Sequence, residues 1–476
     1  MNQNSTLSKH FNRIEGRALF MNEKVKERLI IFAFFALQIW GLVFPVFNVR
    51  FMVIYLVGGL FMLVILLSTL QLPLKRRALN VVPVVAWTSF GLLALVMGMV
   101  YNENYLLNGV WYLFVFPVFW LVLQSYGDYE WIFALYARSS LWAFGLFFLI
   151  SVLFFPPLAE YYISFLRNTN TLAQILQPMF MGILYSYTLL LEEKSTKKNI
   201  FLHFFLLVFC IGMILLSTSR TGMIAMIAIF LVWLTYLFLN RFRLQYKRII
   251  FAVASVLLAS VISLPVSAFM FPSVNRVVVS TFPEINKAVV SFLYAPEDEY
   301  ELVVFQEEQY QEDKQEDSTT GVISFVNDVL KRFKIKLHRM IEGDARLQIW
   351  RNYMQALSIA GAKAPLIGLG DRPGTAHNAI FQYTYDYGIF GGIAYLIFFV
   401  STGVLCLRYL FKRRNRCALF SAMAVGGYAV TSMLASTTSP FSYHLVFVYL
   451  LAQIYLLEKE PEKRMIEENA GRTNNE

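Results

Sequence analysis

The stretch Phe51-Met-Val-Ile-Tyr-Leu-Val-Gly-Gly-Leu-Phe-Met-Leu-Val-Ile-Leu-Leu-Ser-Thr-Leu70 decides the class of this protein. It holds no charged residue, and its apolar side chains fall on every face of a helix. A water-facing helix keeps a polar stripe, and a membrane β-strand alternates with a period of two. This run does neither. Its length, at ~1.5 Å per residue, matches the ~30 Å hydrocarbon thickness of a bilayer. Comparable runs begin near Leu29, Val81, Trp111, Trp131, Thr171, Ile200, Gly222, Ile249, Tyr385, Cys417 and Phe441. The expectation is an all-α polytopic membrane protein with about twelve transmembrane helices.

Composition agrees. Of 476 residues, 57% are apolar and 15% charged, and 44 are Phe. Soluble domains carry roughly 25% charged residues, so a soluble enzyme, a disordered chain and a disulfide-rich secreted domain are excluded. The first 28 residues are polar, and no small-residue cleavage pattern follows the first apolar run, so a cleaved signal peptide is not expected.

Lys and Arg set the orientation. They cluster before Leu29, at Lys75-Arg76-Arg77, at Lys194, Lys197 and Lys198, from Arg241 to Arg248, from Arg408 to Arg416, and after the last run. These are alternate connections, and the basic side is cytoplasmic. Both termini are therefore expected inside. The Gly127-Asp128-Tyr129-Glu130 turn belongs to that side yet is acidic. The net charge of +10 reads as a topology signal and not as nucleic-acid binding. Arg138 lies nearer the cytoplasmic side and is expected to snorkel. Cys210, Cys406 and Cys417 lie in or beside apolar runs with no ligand spacing to His, so they read as packing residues.

The expected organisation is a tail (1–28), nine spans (29–270), an outer loop (271–375), three spans (376–457) and a second tail (458–476). The loop is about 105 residues long. Its segment Glu297 to Asp317 holds ten acidic residues and one Lys and reads as a solvated spacer. From Gly321 to Met340, apolar residues recur at helical spacing among cations. That pattern suits a helix lying on the membrane or on the protein. A second helix is expected from Asp344 to Ala360. In it Arg346, Trp350, Tyr353 and Leu357 share one face, Arg351 lies on another, and Gly361 supplies the stop. The Gly-rich loop Gly361 to Gly370 follows, then Asp371, Arg372, Pro373, Gly374, His377 and Asn378. Gly388, Gly391 and Gly392 within the next span suit close helix approach.

Two residues invite chemistry. Arg220, in Ser217-Thr-Ser-Arg-Thr-Gly222, sits where a span ends on the outer side. Its planar fork matches phosphate oxygens, and the flanking hydroxyls suit a polar head group; a snorkelling structural arginine is the other reading. His377 stands between Gly-rich backbone and a helix start, and an imidazole there can take a hydroxyl proton, or be a hydrogen-bonded structural residue. Asp386, nine residues on, points away from His377 at ~100° per residue and is not paired with it.

The order Ser219-Arg220-Thr221-Gly222, a long outer loop, Arg346-Leu-Gln-Ile-Trp350, Pro365-Leu-Ile-Gly-Leu-Gly370, His377-Asn378 and Gly388 resembles the O-antigen ligase and O-antigen polymerase superfamily. The motifs span roughly residues 211–400. The resemblance implies the architecture of the C-type membrane glycosyltransferases and a multi-pass protein of the bacterial cytoplasmic membrane. It implies glycan transfer from an undecaprenyl-diphosphate carrier to an acceptor hydroxyl on the outer face, without a metal or other cofactor. Arg220, Arg346 and His377 would be catalytic; Ser219, Thr221, Arg372, Asn378 and Trp350 would contact substrate. Partners would be the lipid-linked glycan donor, the acceptor, membrane lipid, and a flippase and chain-length regulator. The acidic insert departs from a compact ligase. A polymerase joining repeat units of a capsule, exopolysaccharide or O-antigen is the leading expectation, a ligase moving finished glycan to lipid A core, protein or wall polymer the second. A lipid-oligosaccharide transporter is a third, although no internal repeat is visible.

Overall fold

The structure is a computed structural model. It describes residues 23–47, 78–101, 129–155, 169–193, 197–240, 246–293, 345–361, 378–435 and 443–459, with short pieces within 53–65 and 106–113 and at 166, 366, 368–369 and 376. The second and fourth apolar runs, the acidic insert, the basic amphipathic segment, Arg372 and His377 lie wholly or mostly outside the described residues. The long helices are α1 (Glu23–Phe47), α2 (Val81–Tyr101), α3 (Tyr129–Phe154), α4 (Thr169–Glu192), α5 (Lys197–Leu216), α6 (Arg220–Leu239), α7 (Tyr246–Thr281), α8 (Pro283–Leu293), α9 (Ala345–Ile359), α10 (Ala379–Lys412), α11 (Arg416–Leu434) and α12 (Tyr443–Leu457).

Seven of these, α2, α3, α5, α6, α7, α10 and α11, are long and apolar enough to cross a bilayer. The chain is a helical, multi-pass membrane protein. The outward faces of α2, α7 and α10 carry exposed Val85, Leu92, Val96, Leu257, Leu258, Val261, Ile393, Leu396 and Val400. Soluble monomers do not show such continuous apolar surface. In lipid it is the low-energy state, because a helix pairs its own backbone groups.

Why α4 is less apolar than its neighbours follows from its place. It is buried on nearly all sides from Thr171 to Thr188, so it meets protein and not lipid. Its Gln177 Oε1 accepts a hydrogen bond from Thr431 of α11 at 2.5 Å, and a side chain on Gly427 would strike the Gln177 amide. Buried amides are tolerated there because they are paired. Small residues bring α5 and α7 together. Ala259, Ser263 and Ser267 recur every fourth residue on the buried face of α7, and Gly212 of α5 leaves no room for a Cβ against Ser267. Between α2 and α10 the packing is aromatic: Trp87 and Phe90 meet Phe398, Tyr383, Tyr387 and Tyr395 with ring centroids 4.5–5.7 Å apart.

At 36 residues, α7 is about 54 Å long and outruns the hydrocarbon layer. The segment after Phe271, expected as loop, therefore begins as helix, continuing to Thr281 and, after Phe282, into α8.

Polar contacts define the basic end of the bundle. Arg416, opening α11, binds Glu130 at the start of α3 at 2.6 Å and Glu192 at the end of α4. The acidic turn that sat awkwardly among basic loops thus pairs with one of their arginines. Arg138 is not merely snorkelling, for it binds Glu27 of α1 at 2.6 Å. The end of α12 lies beside the start of α2, through Asn80 N–H to Leu457 O and Lys459 N–H to Ala78 O.

Candidate functional site

At the opposite end, the chain turns between α5 and α6. Thr218 takes a left-handed conformation, φ 51°, uncommon for a β-branched residue. The turn is held by its own hydroxyls. Ser217 Oγ donates to Ile214 O at 2.6 Å and accepts from Ser219 N–H. Ser219 caps α6 by accepting from Gly222 N–H, and donates to Asn170 of α4 at 2.9 Å. Thr221 donates to Leu434 O at the end of α11. Gly222 is a close approach, since a Cβ there would lie 2.6 Å from that of Ala173 on α4.

Ser219 and Thr221, expected to touch substrate, are 3% and 2% exposed with their hydroxyls committed inside the protein. They fix the backbone on either side of Arg220. Arg220 itself is half-buried in the first turn of α6, without a hydrogen-bond or ion-pair partner among the described residues. A cation is disfavoured at a helix N-terminus, where the peptide dipoles already present positive charge. A guanidinium and a helix N-terminus are each groups that favour an anion.

A second turn leads into α10. Asn378 caps it, accepting from Ile380 and Phe381 N–H, while its amide nitrogen reaches Met433 O at 3.4 Å. Thr221 and Asn378 therefore anchor to successive carbonyls at the end of α11. The residues preceding them are Arg220 and His377. Asn378 is 7% exposed, so it too acts on the backbone here. Ala376, on the other side of His377, is held twice: its N–H donates to Gln382 Oε1 at 2.9 Å, and its carbonyl accepts from Trp350 Nε1 at 2.8 Å.

Through Trp350 the loop is tied to α9. Trp350 stacks on Phe381, and Tyr353 packs edge-on against Tyr385 of α10. Tyr353 and Leu357 are buried and Arg351 is exposed, as the helical spacing predicts, and Gly361 follows the helix with φ 100°. Trp350 was expected to contact substrate; its indole N–H is engaged by Ala376. Arg346 lies in the first turn of α9, one turn before Trp350, with its side chain outside the described residues.

The glycines of α10 serve a different purpose from the one expected. Gly388 has φ 73° and ψ 178°, which breaks the helix in a region essentially restricted to glycine. Leu369 N–H satisfies the freed carbonyl of Tyr385 at 2.9 Å. Gly368, φ 82°, lies so close that a Cβ would meet the Asp386 carbonyl at 2.5 Å. Side chains on Gly391 and Gly392 would strike Tyr387 and Thr384 of the same helix, not a neighbour. The glycines accommodate the break itself.

No protein-family model and no curated protein sequence matches the chain. Among the described residues no group of His, Cys, Asp and Glu could hold a metal ion. The sequence reading does not pair Asp386 and does not single out Gln382. Asp386 is fully buried and accepts from Gln382 Nε2 at 3.0 Å. Their i, i+4 spacing is the sequence signal for the pair.

Proposed function

We propose that the protein transfers glycan from a polyprenyl-diphosphate carrier to an acceptor hydroxyl on the outer face of the bacterial cytoplasmic membrane. The observation that carries this reading is the half-buried Arg220 at a helix N-terminus, tied to the same end of α11 as the turn that holds His377. In this reading a phosphate receptor is anchored to the same helix end as Asn378, the helix cap that follows the proton-handling His377. In the proposed reaction the acceptor oxygen attacks the anomeric carbon, and the bond to the lipid diphosphate breaks with inversion. Arg220 and Arg346 neutralise the charge that grows on the departing diphosphate. His377 takes or orients the acceptor proton. The gathering of the basic loops at the opposite end supports an outer-face site, since basic loops favour the cytoplasmic side.

Polymerisation of repeat units is the preferred form, and transfer of finished glycan to another acceptor the alternative. Purified protein in nanodiscs, given a defined undecaprenyl-diphosphate oligosaccharide, separates them. A ladder of products shows a polymerase; a single transfer to an added acceptor shows a ligase. The break in α10 supports a second reading, a lipid-oligosaccharide transporter, since transporters use broken helices at their sites. In that case the donor would cross the membrane chemically unchanged. Donor that remains unconverted with every acceptor class would overturn the enzymatic reading.

A further inference from the structure

We propose that Gln382 and Asp386 are positioning residues for the turn that carries His377, an inference that rests on the transferase reading for its catalytic consequence. The pair forms a directional chain from the buried carboxylate to the backbone: Asp386 Oδ1 accepts from Gln382 Nε2 at 3.0 Å, and Gln382 Oε1 accepts from Ala376 N–H at 2.9 Å. The amide has one workable orientation, because the backbone N–H only donates and the carboxylate only accepts. All three residues are shielded, with Ala376 and Asp386 at 0% and Gln382 at 2% exposure, so water does not compete for these bonds. Trp350 holds the carbonyl of the same residue, and Asn378 is fixed to its own helix and to Met433. The backbone on both sides of His377 is thus set by the side chains of Trp350, Gln382 and Asn378, the last bonded to a carbonyl at the end of α11.

Asp386 lies at the end of the short helical piece that precedes the break at Gly388. Gly368 packs on its carbonyl, so the carboxylate, the break and the incoming loop form one unit. Asp386 holds Gln382 in register, and Gln382 holds Ala376.

The test uses the full chain in nanodiscs with Asp386→Leu, Gln382→Leu, Gln382→Asn and Asp386→Asn. Gln382→Asn keeps polarity but is a methylene too short to span the gap, and serves if the leucine variants fail to fold. Asp386→Asn keeps an acceptor oxygen facing Gln382. Two readouts are taken: hydrogen exchange of the Ala376 amide, and glycan transfer resolved into kcat and donor KM. The first three variants should speed exchange about tenfold or more and lower kcat about tenfold to a hundredfold, with KM little changed, as expected for a reacting group displaced by about 1 Å. Asp386→Asn should stay close to wild type in both. Unchanged exchange in Gln382→Asn, or a loss confined to KM, would overturn the positioning role. The exchange arm needs no substrate. A wild-type chain without transfer activity would overturn the functional reading, and the exchange result would still decide whether the pair holds the turn.

Discussion

On the proposed function, stability and activity pull apart at Arg220. Its positive charge adds to that of the α6 N-terminus, a placement that costs about 0.3–1 kcal/mol. Arg220→Gln should therefore raise the thermal unfolding temperature slightly while abolishing transfer. Arg220→Lys keeps the cation but loses the bidentate fork, and should retain only a small fraction of activity at wild-type stability. Thermal unfolding in detergent and product formation from the lipid-linked donor check both. A destabilised Arg220→Gln with full activity would make Arg220 structural. Ser219→Ala should behave in the opposite way. It removes the helix cap and the bond to Asn170, costing about 0.5–2 kcal/mol, and lowers activity only as far as the turn loosens.

Among the elements, α9 was legible and α10 was not. The face Trp350, Tyr353, Leu357 shows in the sequence because a helix against protein must bury apolar residues at 3.6-residue spacing. Gly388 stands in an apolar run, where a glycine reads equally well as a helix contact, a kink or neither. What decides is the docking of Gly368 and Leu369 on the freed carbonyl, a long-range contact that no local pattern encodes. The same holds for Thr221 and Asn378: each looks like a polar site residue in sequence, and each is used to attach a helix start to α11. Gly388→Ala should cost about 1–3 kcal/mol, since an L-residue rarely adopts that backbone conformation. Gly368→Ala should cost at least as much, because its Cβ meets backbone that cannot step aside. Thermal unfolding measures both, and near wild-type stability for Gly388→Ala would mean that α10 is continuous there.

For the whole molecule the two ends have opposite characters. One gathers the cations of alternate loops and fastens α3, α4 and α11 through Arg416, which is a quarter exposed and shared between Glu130 and Glu192. The other gathers the turns at Arg220 and Asn378 and the helix α9. In the proposed orientation, with the basic loops inside, the candidate site faces outward. The three native cysteines, Cys210, Cys406 and Cys417, are all buried, so single introduced cysteines report their side with little background. Ser358 of α9 and Lys247 at the start of α7 are both exposed and mark the two ends. In intact cells an impermeant maleimide should label Ser358→Cys, and should label Lys247→Cys only after lysis. The reverse pattern would put the site in the cytoplasm, where the acceptor of a surface glycan is not available, and the transferase reading would have to be given up together with the orientation.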